Sequence, residues 1–297
     1  ARLFGTTPRS FLRAGFGFTR TRNGSAAMHA VTCLPAITGA WQQEGGGAFF
    51  LTYDTKIWGL DTNFLYATEA IDPNTRILDQ SRIGAVLCGD PDALKGGPPV
   101  MAMLMQNANS ATVAPDTAAV LKGLMRDDLF LVVHEQFMTP TARHADILLP
   151  ATTFVEHDDL YYGLGHTHLT CAPKLIEPLA DARPNSFVVR ELAKRLGAEH
   201  PSLALEDRDL LDTALTRGGL PSLAELTVTG WVDRALPFEQ AHFLDGFPQP
   251  DGRFHFKPDW SRVGPDHARM PSLPDWSSDY ETTSDAHPFK LVCPPAR

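Results

Sequence analysis

Apolar positions along this chain fall into short runs and helical stripes, separated by clusters of polar residues, Gly and Pro. Leu129 to Val133 and Ile147 to Leu149 are β-branched or aromatic runs too short for helices, and each opens into polar residues at its C-terminal end. Pro99 to Gln106 has the same form and predicts a buried strand feeding Asn107 and Asn109, its methionines filling core rather than binding metal. Between these runs, Pro115 to Met125 has Asp116 near its start and apolar Ala119, Val120, Leu121 and Leu124 spaced for one helical face. Strand, loop, helix and strand make a βαβ unit. Right-handed crossovers then bring the Asn107 loop and the Glu135 loop to the same edge of a parallel sheet, where α/β folds take their ligands.

Other segments are read the same way. Ser25 to Thr38 has helical spacing and ends at Gly39, following a Gly- and Arg-rich opening. Ile83 to Cys88 suggests part of an αβ layer in an otherwise broken stretch from 48 to 99. Ser186 to Leu196 is helical, closed by Gly197 and capped by Asn185. Beyond Ala198 the pattern degrades into short amphipathic pieces, with a hairpin expected over Gly246 to Trp260 around Pro250 to Gly252. The Pro-rich stretch from Pro265 to Pro288 is expected to wrap over a surface and to be partly disordered without a partner domain.

With 43% hydrophobic and 21% charged residues in 297, the composition is that of a globular piece with one large core or two smaller ones. No apolar run approaches the ~20 residues that span a bilayer. A net charge of -9 argues against nucleic acid or anionic lipid as partner. A local basic groove for a pyrophosphate is still allowed, from Arg9, Arg13, Arg20 and Arg22. Cys33, Cys88, Cys171 and Cys293 form no CxxC pair, so spacing gives neither a zinc site nor an iron–sulfur cluster.

The densest chemistry lies between the Leu129 and Ile147 runs, where His134, Glu135, Gln136, Thr139, Thr141, Arg143, His144 and Asp146 crowd thirteen positions. Carboxylates there suit the paired N–H donors of a guanine or pterin edge, and hydroxyls and amides suit ribose or phosphate. The same residues also describe a solvated βα loop capped by Asp146 and Thr139. Asn107 and Asn109 fit either a ligand or an Asx turn. Glu156, His157, Asp158 and Asp159, near His166 and His168, have spacing that chance supplies often, and are not read as a metal site.

Four segments in order resemble the molybdopterin oxidoreductases that carry a bis(molybdopterin guanine dinucleotide) cofactor, the dimethyl sulfoxide reductase and formate dehydrogenase superfamily. They are GFTRTRNG ending at Gly24, AITGAWQQEGGG from Ala36 to Gly47, MQNANSATVAPD from Met105 to Asp116, and the Leu129 to Tyr162 stretch with its EHDD. Ser110 stands where relatives commonly have Pro. The resemblance implies an α/β fold of Rossmann-like βαβ units over 1–198, an irregular connecting segment over 199–286, and the start of a C-terminal dinucleotide-binding barrel over 287–297. It implies a central fragment lacking the metal-ligand region, in keeping with a chain that opens at Ala1.

The implied activity is two-electron redox of a small substrate, with molybdenum or tungsten held by bis(molybdopterin guanine dinucleotide) and electrons exchanged with a partner protein or subunit. A 4Fe–4S cluster would belong to the missing N-terminal region. Cofactor-binding positions implied by the match are Arg20, Asn107, Asn109, His134, Glu135, Thr139, Asp146, His157 and Asn185; no catalytic residue and no metal ligand is assigned. His157 is placed as a polar contact with solvated acidic neighbours, and Asn185 as a cap that also meets a purine. The alternatives are a metal-free descendant serving as a structural or nucleotide-binding subunit, and an ordinary flavodoxin-like domain, which would lack EHDD and the long tail. Relatives occur both in the cytoplasm and exported; the cytoplasm is the expectation here.

Overall fold

The computed structural model describes residues 1–20, 23–51, 58–262, 270–275 and 283–289. They form two compact units, one of Ala1–Tyr53, Leu164–His166 and Ala235–Arg297, the other of Asp54–Gly163 and Thr167–Arg234. The chain therefore divides through several crossings, where the resemblance implied breaks after residues 198 and 286. No helix among the described residues is long and apolar enough to cross a membrane.

The larger unit contains two sheets. In the first, β3 (Ala102–Gln106), β4 (Phe130–Glu135) and β5 (Ile147–Pro150) run parallel in the order β3-β4-β5, with Gln106 level with His134 and Glu135 level with Pro150. The Thr117–Leu124 helix joins β3 to β4 as expected, started by Asp116, whose carboxylate accepts from the Ala119 N–H. No α-helix joins β4 to β5; the connection is the polar loop with one 3-10 turn at Ala142–His144. Its exit is fixed by Asp146, whose carboxylate accepts the Leu131 N–H at 2.7 Å while its own N–H donates back to the Leu131 carbonyl. Leu87, Met105, Val120, Leu124, Leu131 and Val133 make the core beneath the sheet. The expected burial of the β3 strand is limited to Met105, because Ala102 and Leu104 face outward.

The second sheet is antiparallel, β6 (Asp159–Tyr162), β7 (His168–Ala172) and β8 (Trp231–Asp233). The Asp207–Arg217 and Leu223–Thr229 helices cover it, burying Trp58, Leu169, Leu215, Leu220, Leu223 and Leu226 together. Residues expected to be an irregular connector are thus ordered through Asp233. Apolar side chains spaced for one face meet a sheet there, and Ser222 with Glu225 closes a capping box on the second helix.

In the smaller unit, β1 (Phe11–Arg13) pairs parallel with β2 (Gly47–Phe49), and the Gly24–Thr38 helix ends at Gly39 in the left-handed conformation, φ +71°. Arg13 does not offer a free cation, since it donates to the carbonyls of Ala14, Phe49 and Phe50. The expected hairpin over Gly246 to Trp260 is a turn without strands, closed by Phe247 N–H to the Gly252 carbonyl. An aromatic chain through Phe243, Phe247, Phe254 and Phe256 holds it instead of a ladder. Arg22 and Cys293, half of the Pro265 to Pro288 wrap and most of the barrel opening after 287 lie outside the described residues.

The Ile83–Leu87 and Thr117–Leu124 helices approach closely through two glycines. A Cβ on Gly123 would meet the Leu87 Cβ at 2.3 Å, and one on Gly84 the Val120 N at 2.9 Å. Ala gains about 1 kcal/mol of helix propensity over Gly, but overpacking against a side-chain root costs about 1–3 kcal/mol. Gly123→Ala is expected to destabilise the chain by about 1–2 kcal/mol, measured as a lowered urea midpoint; a raised midpoint contradicts the packing.

Candidate functional site

The C-terminal ends of β3, β4 and β5 carry the polar loops, and the crossing segment around Arg183 passes over them. His134 is fully buried on β4, its Nδ1 3.2 Å from the Gln106 amide nitrogen and its Nε2 3.0 Å from the Arg183 carbonyl. A ring protonated at Nε2 satisfies both, accepting from Gln106 and donating to Arg183. Arg183 N–H in turn donates to the Pro150 carbonyl, and Thr152 N–H to the Arg183 carbonyl. This stitching brings the Asn185–Leu196 helix to the strand ends.

Several of the expected site residues are engaged in building this edge. Asn109 accepts from the Thr141 hydroxyl at 2.9 Å and donates to Thr112, while the buried Thr141 hydroxyl accepts the Ala111 N–H. The Thr139 hydroxyl accepts the Ala142 N–H at 3.1 Å, closing the 3-10 turn. Glu135 accepts the Gln136 N–H at 2.7 Å, and Asp146 holds Leu131. Arg20 ends the Phe16–Arg20 turn in the smaller unit, and its side chain lies outside the described residues.

The structure brings three of the expected residues, Asn107, His157 and Asn185, to one cleft of about 400 Å³ in the larger unit. Asn107 takes the left-handed conformation, φ +52°, tied by its N–H to the His134 carbonyl. Asn185 does not cap its helix. Pro184 occupies the cap position and Asn185 is the first helical residue, so its amide is released toward the cleft lining. Neither amide side chain has a hydrogen-bond partner among the described residues.

Gln136, Thr152 and Asp159 also line the cleft. Residue type and spacing did not mark Thr152, and gave Asp159 only as a solvated neighbour, because both meet His157 through the turn that precedes β6. The Thr152 hydroxyl lies 2.8 Å from His157 Nδ1, and His157 Nε2 lies 3.7 Å from an Asp159 carboxylate oxygen. Burial is the main force on Asp159 and pushes its carboxyl above the ordinary range, against the Leu160 N–H and His157, which favour the charged form.

Of the acidic neighbours of His157, Glu156 and Asp158 are not solvated, while Asp159 keeps part of its side chain exposed. Glu156 is buried and accepts the Thr153 N–H at 2.7 Å, the Leu179 N–H at 2.7 Å and the Thr153 hydroxyl at 2.9 Å. Those donors, the Thr153 and Leu179 amides first, hold its carboxyl below the usual range. Asp158 accepts from Arg208 at 2.9 Å and Asp207 from Arg190 at 2.6 Å. Among the described residues no group of three or more His, Cys, Asp or Glu could hold a metal ion. The cleft lining contains three aspartates and no Lys or Arg. It can therefore pair with a neutral heterocycle bearing N–H donors and ring acceptors, and is ill suited to a bare phosphate.

The molybdopterin oxidoreductase family model matches residues 9–195. The chain is 32% identical to the probable oxidoreductase YoaE of Bacillus subtilis over 98% of its own length and 42% of that protein's. It is 28% identical to the trimethylamine-N-oxide reductase of Haemophilus influenzae over 64% of its own length and 26% of that protein's. Acetylene hydratase from Pelobacter acetylenicus shares the fold over 66% of this chain and 25% of its own, with a TM-score of 0.52 and 24% identity. The chain thus spans less than half the length of these relatives.

Because the folded-state carboxyl of Glu156 titrates low, its contribution to stability is present above the ordinary glutamate range and is lost as pH falls through the folded value. Glu156→Gln is expected to lower the urea midpoint at neutral pH, and the gap to the parent chain to narrow below about pH 4. A gap that is constant with pH removes the carboxylate from this role.

Proposed function

The chain belongs to the molybdopterin oxidoreductase family, and on that premise we propose that it is the central cofactor-holding part of a molybdenum or tungsten bis-pterin oxidoreductase. The observation that carries this reading is the pair of unpartnered amides, Asn107 from the end of β3 and Asn185 from the start of a later helix, lining one cleft at the C-terminal edge of parallel strands. Both residues are exposed, so neither amide is committed to the fold and each is open to a ligand edge.

The residues present fit the heterocyclic end of a pterin guanine dinucleotide. Asn107 and Asn185 supply amide donors and acceptors, His157 a ring nitrogen, and Asp159 a carboxyl, while the lack of cations in the lining directs the pyrophosphate elsewhere. The β3–helix–β4 unit is read as Rossmann-like in this sense: it offers its strand ends to a nucleotide. When bound, the metal and pterin supply the two-electron chemistry; the protein orients them and tunes them through hydrogen bonds. The small substrate, the electron-transfer partner and any 4Fe–4S cluster are assigned to contacts made with the remainder of a longer protein, a reading that the partial coverage of relatives supports.

Full-length protein from a molybdate-fed host is expected to carry molybdenum or tungsten and oxidisable pterin. Asn107→Ala and Asn185→Ala should each lower retained pterin about twofold to tenfold, the loss of one net hydrogen bond, with unfolding midpoints close to the parent's. Folded full-length protein free of metal and pterin overturns the proposal.

A further inference from the structure

Thr152 is 4% exposed, and its backbone is fully used: its N–H donates to the Arg183 carbonyl, and its own carbonyl accepts from the Gln136 amide at 2.8 Å. Its hydroxyl has one partner, His157 Nδ1 at 2.8 Å. A hydroxyl carries one proton to give. If the ring donated from Nδ1, that proton would have no protein acceptor at a position only 4% exposed. The arrangement that leaves nothing unsatisfied has Thr152 donating to Nδ1 and the imidazole proton on Nε2.

Nε2 is the nitrogen that faces Asp159, 3.7 Å from one carboxylate oxygen, too far for a direct hydrogen bond. The other oxygen of Asp159 accepts the Leu160 N–H at 2.8 Å. His157 and Asp159 both line the cleft. An N–H donor and a carboxyl oxygen thus stand side by side without being committed to each other.

We infer that Thr152 is a positioning residue that fixes His157 as the Nε2–H tautomer, so that His157 and Asp159 together receive the acceptor and adjoining N–H of a heterocyclic lactam edge. The class of ligand rests on the function proposed above; the tautomer does not. The pair receives a lactam with its oxygen toward Nε2 and its N–H toward Asp159; an amidine edge would have to enter turned over.

The test uses full-length protein with ¹⁵N-labelled histidine at about pH 8.5, above the ordinary imidazole range, with the His157 signals identified by their loss in His157→Gln. Parent and Thr152→Ser are expected to show Nε2–H shifts, and Thr152→Val a shift toward Nδ1–H, since valine keeps the shape and removes the donor. Retained pterin should fall about threefold or more in Thr152→Val, as for one lost hydrogen bond, and be restored in Thr152→Ser. A parent protein with Nδ1–H, or a valine variant with the serine variant's tautomer and pterin content, overturns the inference. Nε2–H shifts with no pterin in any variant overturn the lactam assignment together with the proposed function, and leave the tautomer assignment standing.

Discussion

The imidazole of His134, sealed between the Gln106 amide and the Arg183 carbonyl, is the contact on which the geometry of the cleft depends. It joins three segments far apart in sequence: β3 through Gln106, β4 through its own backbone, and the crossing segment through Arg183. A buried ring with two nitrogens has few ways to satisfy both, so the register of the crossing segment against the strand ends is set within one hydrogen bond's tolerance. Because Asn185 begins its helix two residues after Arg183, the position of its amide opposite Asn107 follows from that register. The bridge between Ala151 and Arg183 repeats the constraint in backbone form.

This divides the polar loop into residues that make the edge and residues that face the cleft. Asn109, Thr139, Thr141, Glu135 and Asp146 close turns and hold strand ends, each with a named partner within the fold. The cleft-facing set comes from three different loops and includes few of the residues that crowd the sequence between His134 and Asp146. Density of polar residues in one stretch therefore marks the place where the backbone needs most support, next to a site rather than at it.

The sequence is informative where local periodicity decides structure. The β3–helix–β4 unit, the Asp116 cap, the Gly39 terminus and the common edge of the Asn107 and Glu135 loops are all legible, because alternation, helical spacing and turn chemistry act within a few residues. The Thr152–His157–Asp159 arrangement is not legible, since it depends on a turn whose shape is set by Glu156 reaching Leu179. Asn185 reads as a cap by type, yet Pro184 fits the extended cap backbone and shifts the asparagine one position inward. The helices over Asp207–Arg217 and Leu223–Thr229 have polar, short stripes that gain their meaning only from β6, β7 and Trp58 beneath them.

Glu156 shows how an acidic run can be structural without weakening the case for a site beside it. Its two oxygens accept two amides and a hydroxyl, from Thr153 at one end of the turn and Leu179 in the segment that returns toward Arg183. The turn that carries His157 is thereby anchored to the same crossing segment that His134 anchors to β4. Asp158 is neutralised in a second way, by Arg208 and the Lys174 N–H. Of the three acidic residues around His157, Glu156 is held by amides and Asp158 by Arg208, so Asp159 is left at the cleft without a strong cation, and burial pushes its carboxyl above the ordinary range. A carboxyl without a strong cation accepts the N–H donors of a hydrogen-bonding ring and repels a phosphate. The electrostatics of the cleft and the direction of the two free amides thus favour the same class of ligand.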